Sequence, residues 1–129
     1  MVNYLSVYTL DTNTIIYYLK DDPDAVSFFQ RAFDLNATLY ISAITEAELF
    51  RFSKLSEEET TQIENLLRSI FLIPVDSQIA RSAGLIGRTY NIELADSIIA
   101  ATAIFTASTI VTRNVRDFKK VPTISIQPL

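Results

Sequence analysis

The sequence predicts an α/β fold: a three-layer α/β/α sandwich around a central, mostly parallel sheet of about five strands, in a single domain spanning residues 1–129. Three observations predict it. Five short stretches rich in β-branched or aromatic residues are spread along the chain, and segments of helical periodicity separate them. The connections are mostly long enough for crossovers, so neighbouring strands run parallel and the helices cover both faces. The composition, 49% apolar and 20% charged with two glycines and four prolines, is that of an ordered globular chain. A chain of this length buries close to ~70% of its unfolded surface without disulfides or structural metal.

Tyr4–Leu10 opens the series as the first strand. A short apolar segment, Thr14–Leu19, and a helix over Pro23–Leu35 fill the first crossover; Pro23 suits a first helical position, and Val26, Phe29, Ala32 and Phe33 repeat at helical spacing. Thr38–Ile41 reads as the second strand and Ala43–Leu55 as a helix. Ser56-Glu57-Glu58-Glu59 has the form of a capping box, opening a helix through Ile63, Leu66, Leu67 and Ile70. Phe71–Val75 is the third strand, after which Asp76 caps a helix carrying Ile79, Ala83 and Ile86. A turn around Asn91–Glu93 leads to a last helix, roughly Leu94 to Ala107, apolar nearly all round and therefore buried, with Asp96 at its start. Thr109–Thr112 and Thr123–Ile126 complete the strands.

The chain has no Cys and no His. That removes disulfides, zinc clusters, thiol nucleophiles, haem ligation and imidazole bases. No basic residue precedes Lys20, so the expected location is cytoplasmic. The longest uncharged run, Ser97 to Thr112, has 16 residues and is too short and too rich in Ser and Thr for a membrane span.

Ligands of open parallel sheets lie beyond the carboxyl ends of the strands, the edge at which the crossover helices begin. Asp11 follows the first strand, Glu48 is early in the helix after the second, Asp96 opens the helix feeding the fourth, and Asp117 follows the fourth in Thr112-Arg113-Asn114-Val115-Arg116-Asp117-Phe118. Each has an ordinary alternative: Asp11 and Asp96 as helix N-caps, Asp117 as a turn residue, Glu48 as a solvated helix residue. Glu48 nevertheless lies one turn beyond Ile44, at the margin of the apolar stripe with Ala47, whereas Glu46 points ~160° away. Four converging carboxylates with no His or Lys between them repel one another unless a divalent cation neutralises them. All-oxygen ligation suits Mg²⁺ or Mn²⁺, and such an ion fits metal-assisted phosphodiester hydrolysis at a site lacking a neutral-pH base. Asn13 and Asn114 could orient water or a carboxylate, or simply be turn residues.

Leu10-Asp11-Thr12-Asn13, Thr45-Glu46-Ala47-Glu48-Leu49, Ala95-Asp96-Ser97-Ile98-Ile99-Ala100-Ala101 and the segment from Thr112 to Phe118 together resemble the PIN-domain ribonucleases, especially the VapC toxins of toxin–antitoxin pairs. The likeness spans nearly the whole chain, in order. It implies an α/β/α sandwich, Mg²⁺- or Mn²⁺-dependent endoribonuclease activity, and an acidic quartet that falls on Asp11, Glu48, Asp96 and Asp117, supported by Asn13, Thr112 and Asn114. Asp11 and Asp96 would be the principal metal ligands, with Glu48 and Asp117 binding directly or through water. The resemblance further implies a cognate antitoxin that covers the site, and a homodimer. Ser108 departs from it, standing where many relatives have Gly before the fourth strand.

A net charge of −4 is unusual for a protein that holds RNA. The 15 acids less the four candidates equal the 11 basic residues, so the rest of the chain is neutral. Arg113, Arg116, Lys119 and Lys120 cluster around the fourth acid, and Arg51 and Lys54 follow Glu48; these are the candidate RNA contacts, with a solvated basic face as the alternative. Two other functions compete. A phosphatase passing through an aspartyl-phosphate on Asp11 generally wants an acid two residues on, where Asn13 stands. A catalytically silent binding module is the other, and the presence of all four acids argues against it.

Overall fold

The structure, a computed structural model, describes residues 6–51 and 55–129. The strands β1 (Val7–Leu10), β2 (Thr38–Ser42), β3 (Phe71–Ile73), β4 (Thr109–Thr112) and β5 (Ser125–Pro128) form one sheet in the order β3-β2-β1-β4-β5. Every pairing is parallel, with Tyr8 of β1 in register with Leu39 on one side and Thr109 on the other. The helices are α1 (Thr12–Leu19), α2 (Pro23–Asp34), α3 (Ala43–Phe50), α4 (Glu57–Leu67), α5 (Ser77–Tyr90), α6 (Leu94–Phe105) and the single turn α7 (Val115–Phe118). The chain winds from β1 outward through β2 and β3, then returns to add β4 on the opposite side of β1. That reversal leaves a crevice between the carboxyl ends of β1 and β4, the usual place for a ligand in such sheets.

Two apolar clusters give the sandwich its layers. Leu10, Ile15, Phe28, Phe29, Leu39, Ile41, Ile63 and Val111 form one, beneath α1, α2 and α4. Ile79, Ala83, Ile86, Ile98, Ile99, Ile110 and Phe118 form the other, beneath α5 and α6. Ile110 and Val111 are consecutive in β4 and enter different clusters, as the two-residue side-chain period of a strand requires. A strand apolar at both positions is the mark of a sheet covered on both faces.

Local chemistry sets the element ends. Asp22 caps α2 by accepting from the Ala25 N–H at 3.1 Å, with Pro23 at the first helical position; Ser56 and Glu59 form the reciprocal capping box of α4. Asp76 caps α5, accepting from the Ile79 N–H at 2.9 Å. Asn91 closes α5 in the left-handed conformation, a role Asn fills readily. Before β4 the left-handed residue is Ala107, at φ 49°, and Ser108 is instead buried, with its hydroxyl against those of Thr9 and Thr106.

Several boundaries differ from expectation. Residues 4 and 5 of the anticipated first strand lie outside the described residues, and β1 runs from Val7. β3 stops at Ile73, because Pro74 has no N–H to extend the ladder. β5 begins at Ser125 rather than Thr123, since Ile124 N–H turns back to the Val121 carbonyl at 3.4 Å. α3 ends at Phe50; residues 52–54, including Lys54, lie outside the described residues. The segment after β4, expected as a turn, contains α7. Among the described residues no helix is long and apolar enough to cross a membrane.

α6, which carries Asp96, is held by close packing against α5. A Cβ placed on Gly87 of α5 would lie 2.8 Å from the Ser97 Oγ and 3.3 Å from the Ile92 carbonyl oxygen, whereas one on Gly84 meets nothing within 4 Å. Ser97 Oγ is itself bonded to the Glu93 carbonyl at 2.8 Å, so it moves only by losing that bond. Chemical denaturation therefore separates two substitutions in the same helix. Gly84→Ala is expected to stabilise the protein by about 0.5–1 kcal/mol through helix propensity. Gly87→Ala is expected to destabilise it by about 1 kcal/mol, the overpacking outweighing the same propensity gain.

Candidate active site

Asp11 ends β1 and occupies the N-cap position of α1, yet its side chain makes no capping bond. The carboxylate turns across the crevice instead and accepts a hydrogen bond from the Thr112 hydroxyl, Oγ1 to Oδ2, at 2.7 Å. Thr112 is fixed in turn by the backbone N–H of Asn114, which donates to its Oγ1 at 2.8 Å. Both Asp11 and Thr112 are buried, at 4% and 0% exposure. A hydroxyl that accepts from the backbone and donates to a carboxylate has little rotational freedom, so one Asp11 oxygen is located by the ends of two neighbouring strands.

Glu48 is fixed in the same manner from another element. The buried Thr12 hydroxyl, at the start of α1, donates to Glu48 Oε1 at 2.7 Å and lies 3.1 Å from the Thr45 hydroxyl. The buried positions of α3 are Thr45 and Leu49, with Ala47 exposed and Glu46 half-buried. The inward stripe is thus rotated from the one expected through Ile44 and Ala47, and Glu48 still borders it. Asp96 lies within the first turn of α6, whose N-cap is Glu93, so the capping role open to Asp96 from sequence does not apply. The Asn114 side-chain amide donates toward Asp96 Oδ2 at 3.4 Å.

Asp11, Glu48 and Asp96 line one cleft of about 350 Å³ together with Thr12, Asn13, Ile16 and Arg51. Asp117, in α7, is not among the lining residues. It stands beside the cleft, 3.4 Å from Arg116 Nε and 3.6 Å from Lys120 Nζ. The four acids therefore arrive as three plus one. Among the described residues, no three of them close into a ready-made cage for an ion. Thr12 holds Glu48 against α1 while Thr112 holds Asp11 against β4.

The electrostatics of the cleft favour a cation. Burial pushes the Asp11 carboxyl above its usual value; the bonds from Thr112 and from the Thr12 backbone oppose that, and the charge of Glu48 adds to it. Asp96 is pushed up to about 6, first by burial and then by Asp11, Asp117, Glu93 and Glu48. Asp117 moves the other way, lowered by the Asn114 amide, Arg116 and Lys120. The cleft acids thus carry charge that the surrounding protein opposes, the condition a cation relieves. Each carboxylate has about four lone-pair sites, so a single hydroxyl bond leaves capacity for one. A donor set of two or three spaced carboxylates fits a hard cation that keeps several waters, as Mg²⁺ does.

The candidate cations fare unevenly. Arg113 is occupied: its Nη2 lies 2.6 Å from Asp22 Oδ2 and 3.4 Å from Asp24 Oδ2, and its guanidinium stacks 4.2 Å from the centroid of the Tyr17 ring. It ties α1 and the start of α2 to the turn bearing Thr112 and Asn114. Arg116 and Lys120 are paired with Asp117, whereas Arg51 lines the cleft. Asn13 is exposed on the cleft wall. Sequence reasoning missed Thr12 and Thr45 as supporting residues. The available signal was Thr12 beside Asp11 and Thr45 one turn before Glu48, hydroxyls able to reach a carboxylate.

The PIN domain profile matches residues 8–124. A relative described as a tRNA(fMet)-specific endonuclease VapC, from Salmonella typhimurium, is 30% identical over 133 residues, covering 93% of this chain and 96% of its own length. The crystal structure of DNA-bound VapBC from Salmonella typhimurium superposes with a TM-score of 0.81 at 28% identity, covering 96% of this chain and 98% of the other. A toxin–antitoxin complex from Klebsiella pneumoniae does so at 0.76 and 26% identity, covering 91% and 94%.

The raised carboxyls carry a signed pH dependence. A native carboxyl raised above its unfolded value contributes stability that is full below that unfolded value and is lost as pH rises through the native one. For Asp96 the window runs from 3.8 to about 6. Urea unfolding of the metal-free protein should show Asp96→Asn more stable than the parent at about pH 7.5, the advantage shrinking as pH falls through about 6 and vanishing only below 3.8.

Proposed function

This chain belongs to the PIN-domain family, within its VapC-type branch, and on that premise we propose that it is a metal-dependent endoribonuclease, the toxin of a toxin–antitoxin pair. The observation that carries the reading is the meeting of Asp11, Glu48 and Asp96 in one cleft at the switch point of a parallel sheet, with Asp96 pushed up to about 6 by burial and by the other acids. RNA phosphodiester hydrolysis needs a counter-charge for a phosphoryl oxygen and an activated water, and the chain has no His or Cys to supply a base. Bound Mg²⁺ or Mn²⁺ supplies both.

The residues divide the work according to how they are held. Asp11 and Asp96 would hold the ion: Asp11 is fixed through Thr112, and Asp96 is raised by burial and by the charges of the other acids. Glu48, fixed at Oε1 by Thr12, uses its second oxygen to orient the water that enters the cleft. Asn114 joins the inner and outer acids, its amide reaching Asp96 while its side-chain bond keeps Asp117 ionised. Asp117 acts from the rim, through water. The similar solved complexes support a cognate antitoxin as partner, a homodimer is the assembly proposed with it, and a cytoplasmic location follows from the RNA substrate.

The test is cleavage of single-stranded RNA by the purified chain, free of antitoxin, with Mg²⁺ or Mn²⁺. EDTA should abolish cleavage, and Asp11→Asn and Asp96→Asn should each lower the rate by about a hundredfold or more while retaining the fold. Cleavage that survives EDTA undiminished refutes the metal-dependent reading.

The two threonines make a finer prediction. Calorimetric titration with Mn²⁺ should show Thr12→Val and Thr112→Val binding about tenfold more weakly, the usual scale for groups that orient ligands. Thr12→Ser and Thr112→Ser, which keep the hydroxyl, should stay close to the parent.

A further inference from the structure

We propose that Arg51 receives a backbone phosphate of the RNA strand in the cleft, an inference that rests on the nuclease reading above. The position is structural. Arg51 is the C-cap of α3, three residues after Glu48, which returns it to nearly the same side of the helix. Among the described residues that line the cleft it is the one cation, alongside three carboxylates.

Its lack of engagement is the second observation. Arg113, Arg116 and Lys120 each have an acidic partner within 4 Å. The Arg51 side chain makes no ion pair or hydrogen bond among the described residues, although Glu48 stands one turn before it. Glu48 is instead satisfied at Oε1 by Thr12, and that bond leaves the guanidinium unclaimed. A polyanion entering beside Asp11, Glu48 and Asp96 meets repulsion, and a guanidinium on the cleft wall opposes it where the strand must approach. The planar fork matches two phosphate oxygens at once, which the ammonium of a lysine does not. A cation at a helix C-terminus also favours the helix dipole, but that role alone would leave RNA binding unaffected.

The experiment compares the parent chain with Arg51→Gln and Arg51→Lys. Cleavage of a single-stranded RNA oligonucleotide in Mn²⁺ gives kcat and KM; binding of the same oligonucleotide to the Asp96→Asn forms across a salt series gives the number of phosphate contacts. Arg51→Gln should raise KM about tenfold or more, the scale of a charge-assisted hydrogen bond, with kcat changed far less. The slope of log affinity against log salt should become shallower by about 0.7, one phosphate contact on a single strand. Arg51→Lys should restore the slope and only part of the KM. A parent that cleaves RNA while Arg51→Gln keeps both its KM and its salt slope overturns the inference alone. A parent that neither binds nor cleaves RNA overturns the nuclease reading and this inference with it.

Discussion

The structure depends on holding mutually repelling carboxylates at one edge of a sheet before anything neutralises them. Three acids from distant parts of the chain share a cleft, and burial already penalises the charge of two of them. Left to themselves, such side chains would rotate outward to water. Asp11 and Glu48 do not, because each accepts a 2.7 Å bond from a buried threonine hydroxyl. A short hydroxyl bond to a carboxylate is stronger than a neutral one and points the acid without neutralising it. A lysine or arginine in the same place would hold the carboxylate equally well and would remove the charge deficit that makes the cleft useful.

The parallel sheet makes that arrangement possible. With β1 and β4 adjacent and codirectional, Asp11 and Thr112 leave their strands side by side, while Thr12 begins the helix that reaches α3. The third acid comes from outside the sheet, so its placement depends on helix packing. α6 lies against α5 at the contact between Gly87 and Ser97, and the bond from Ser97 to the Glu93 carbonyl ties the first turn of α6 to its N-cap. Asp96 sits within that turn. The site is therefore assembled from one strand pair, one helix N-terminus and one helix–helix contact, and each is rigid for reasons that precede any chemistry. The unfavourable charge is a local penalty drawn from the stability of the rest, the trade expected where function needs a strained site.

Most of this frame is legible in the sequence because it is local or periodic. The strands announce themselves by β-branched runs, α4 by its capping box, and the three cleft acids by following strands or opening helices on one edge. The illegible parts are long-range pairings. Nothing near Thr12 names Glu48, 36 residues away, as its acceptor. Nothing near Arg113 names Asp22 and Asp24, so its pairing with those acids cannot be read from its basic neighbourhood. β5 is misplaced by two residues because β-propensity runs through Thr123, while the turn that delays the strand is set by a carbonyl at Val121. Asp117 shows the same limit: position in sequence puts it on the correct edge, but the short helix α7 that carries it, outside the residues lining the cleft, is not visible there.

The distribution of cations then bears on how an acidic chain could hold RNA at all. The net charge is −4, and among the described residues three basic groups near the cleft, Arg113, Arg116 and Lys120, are bound to acids. Affinity assembled from many phosphate contacts would be steeply salt-dependent and largely indifferent to sequence. A cleft lined, among the described residues, by one arginine does not work that way. On the nuclease reading, the favourable interaction is concentrated where charge is to be neutralised, between the phosphate, the cation held by the carboxylates and the wall opposite them. Non-specific RNA is then held weakly, and selection falls to the shape and single-strandedness of the target, which is the usual basis of sequence-specific RNA recognition. Sparse basic charge in this molecule is in that sense a consequence of the acidic site: each cation spent on Asp22, Asp24 or Asp117 steadies the scaffold, and the acids of the cleft remain uncompensated.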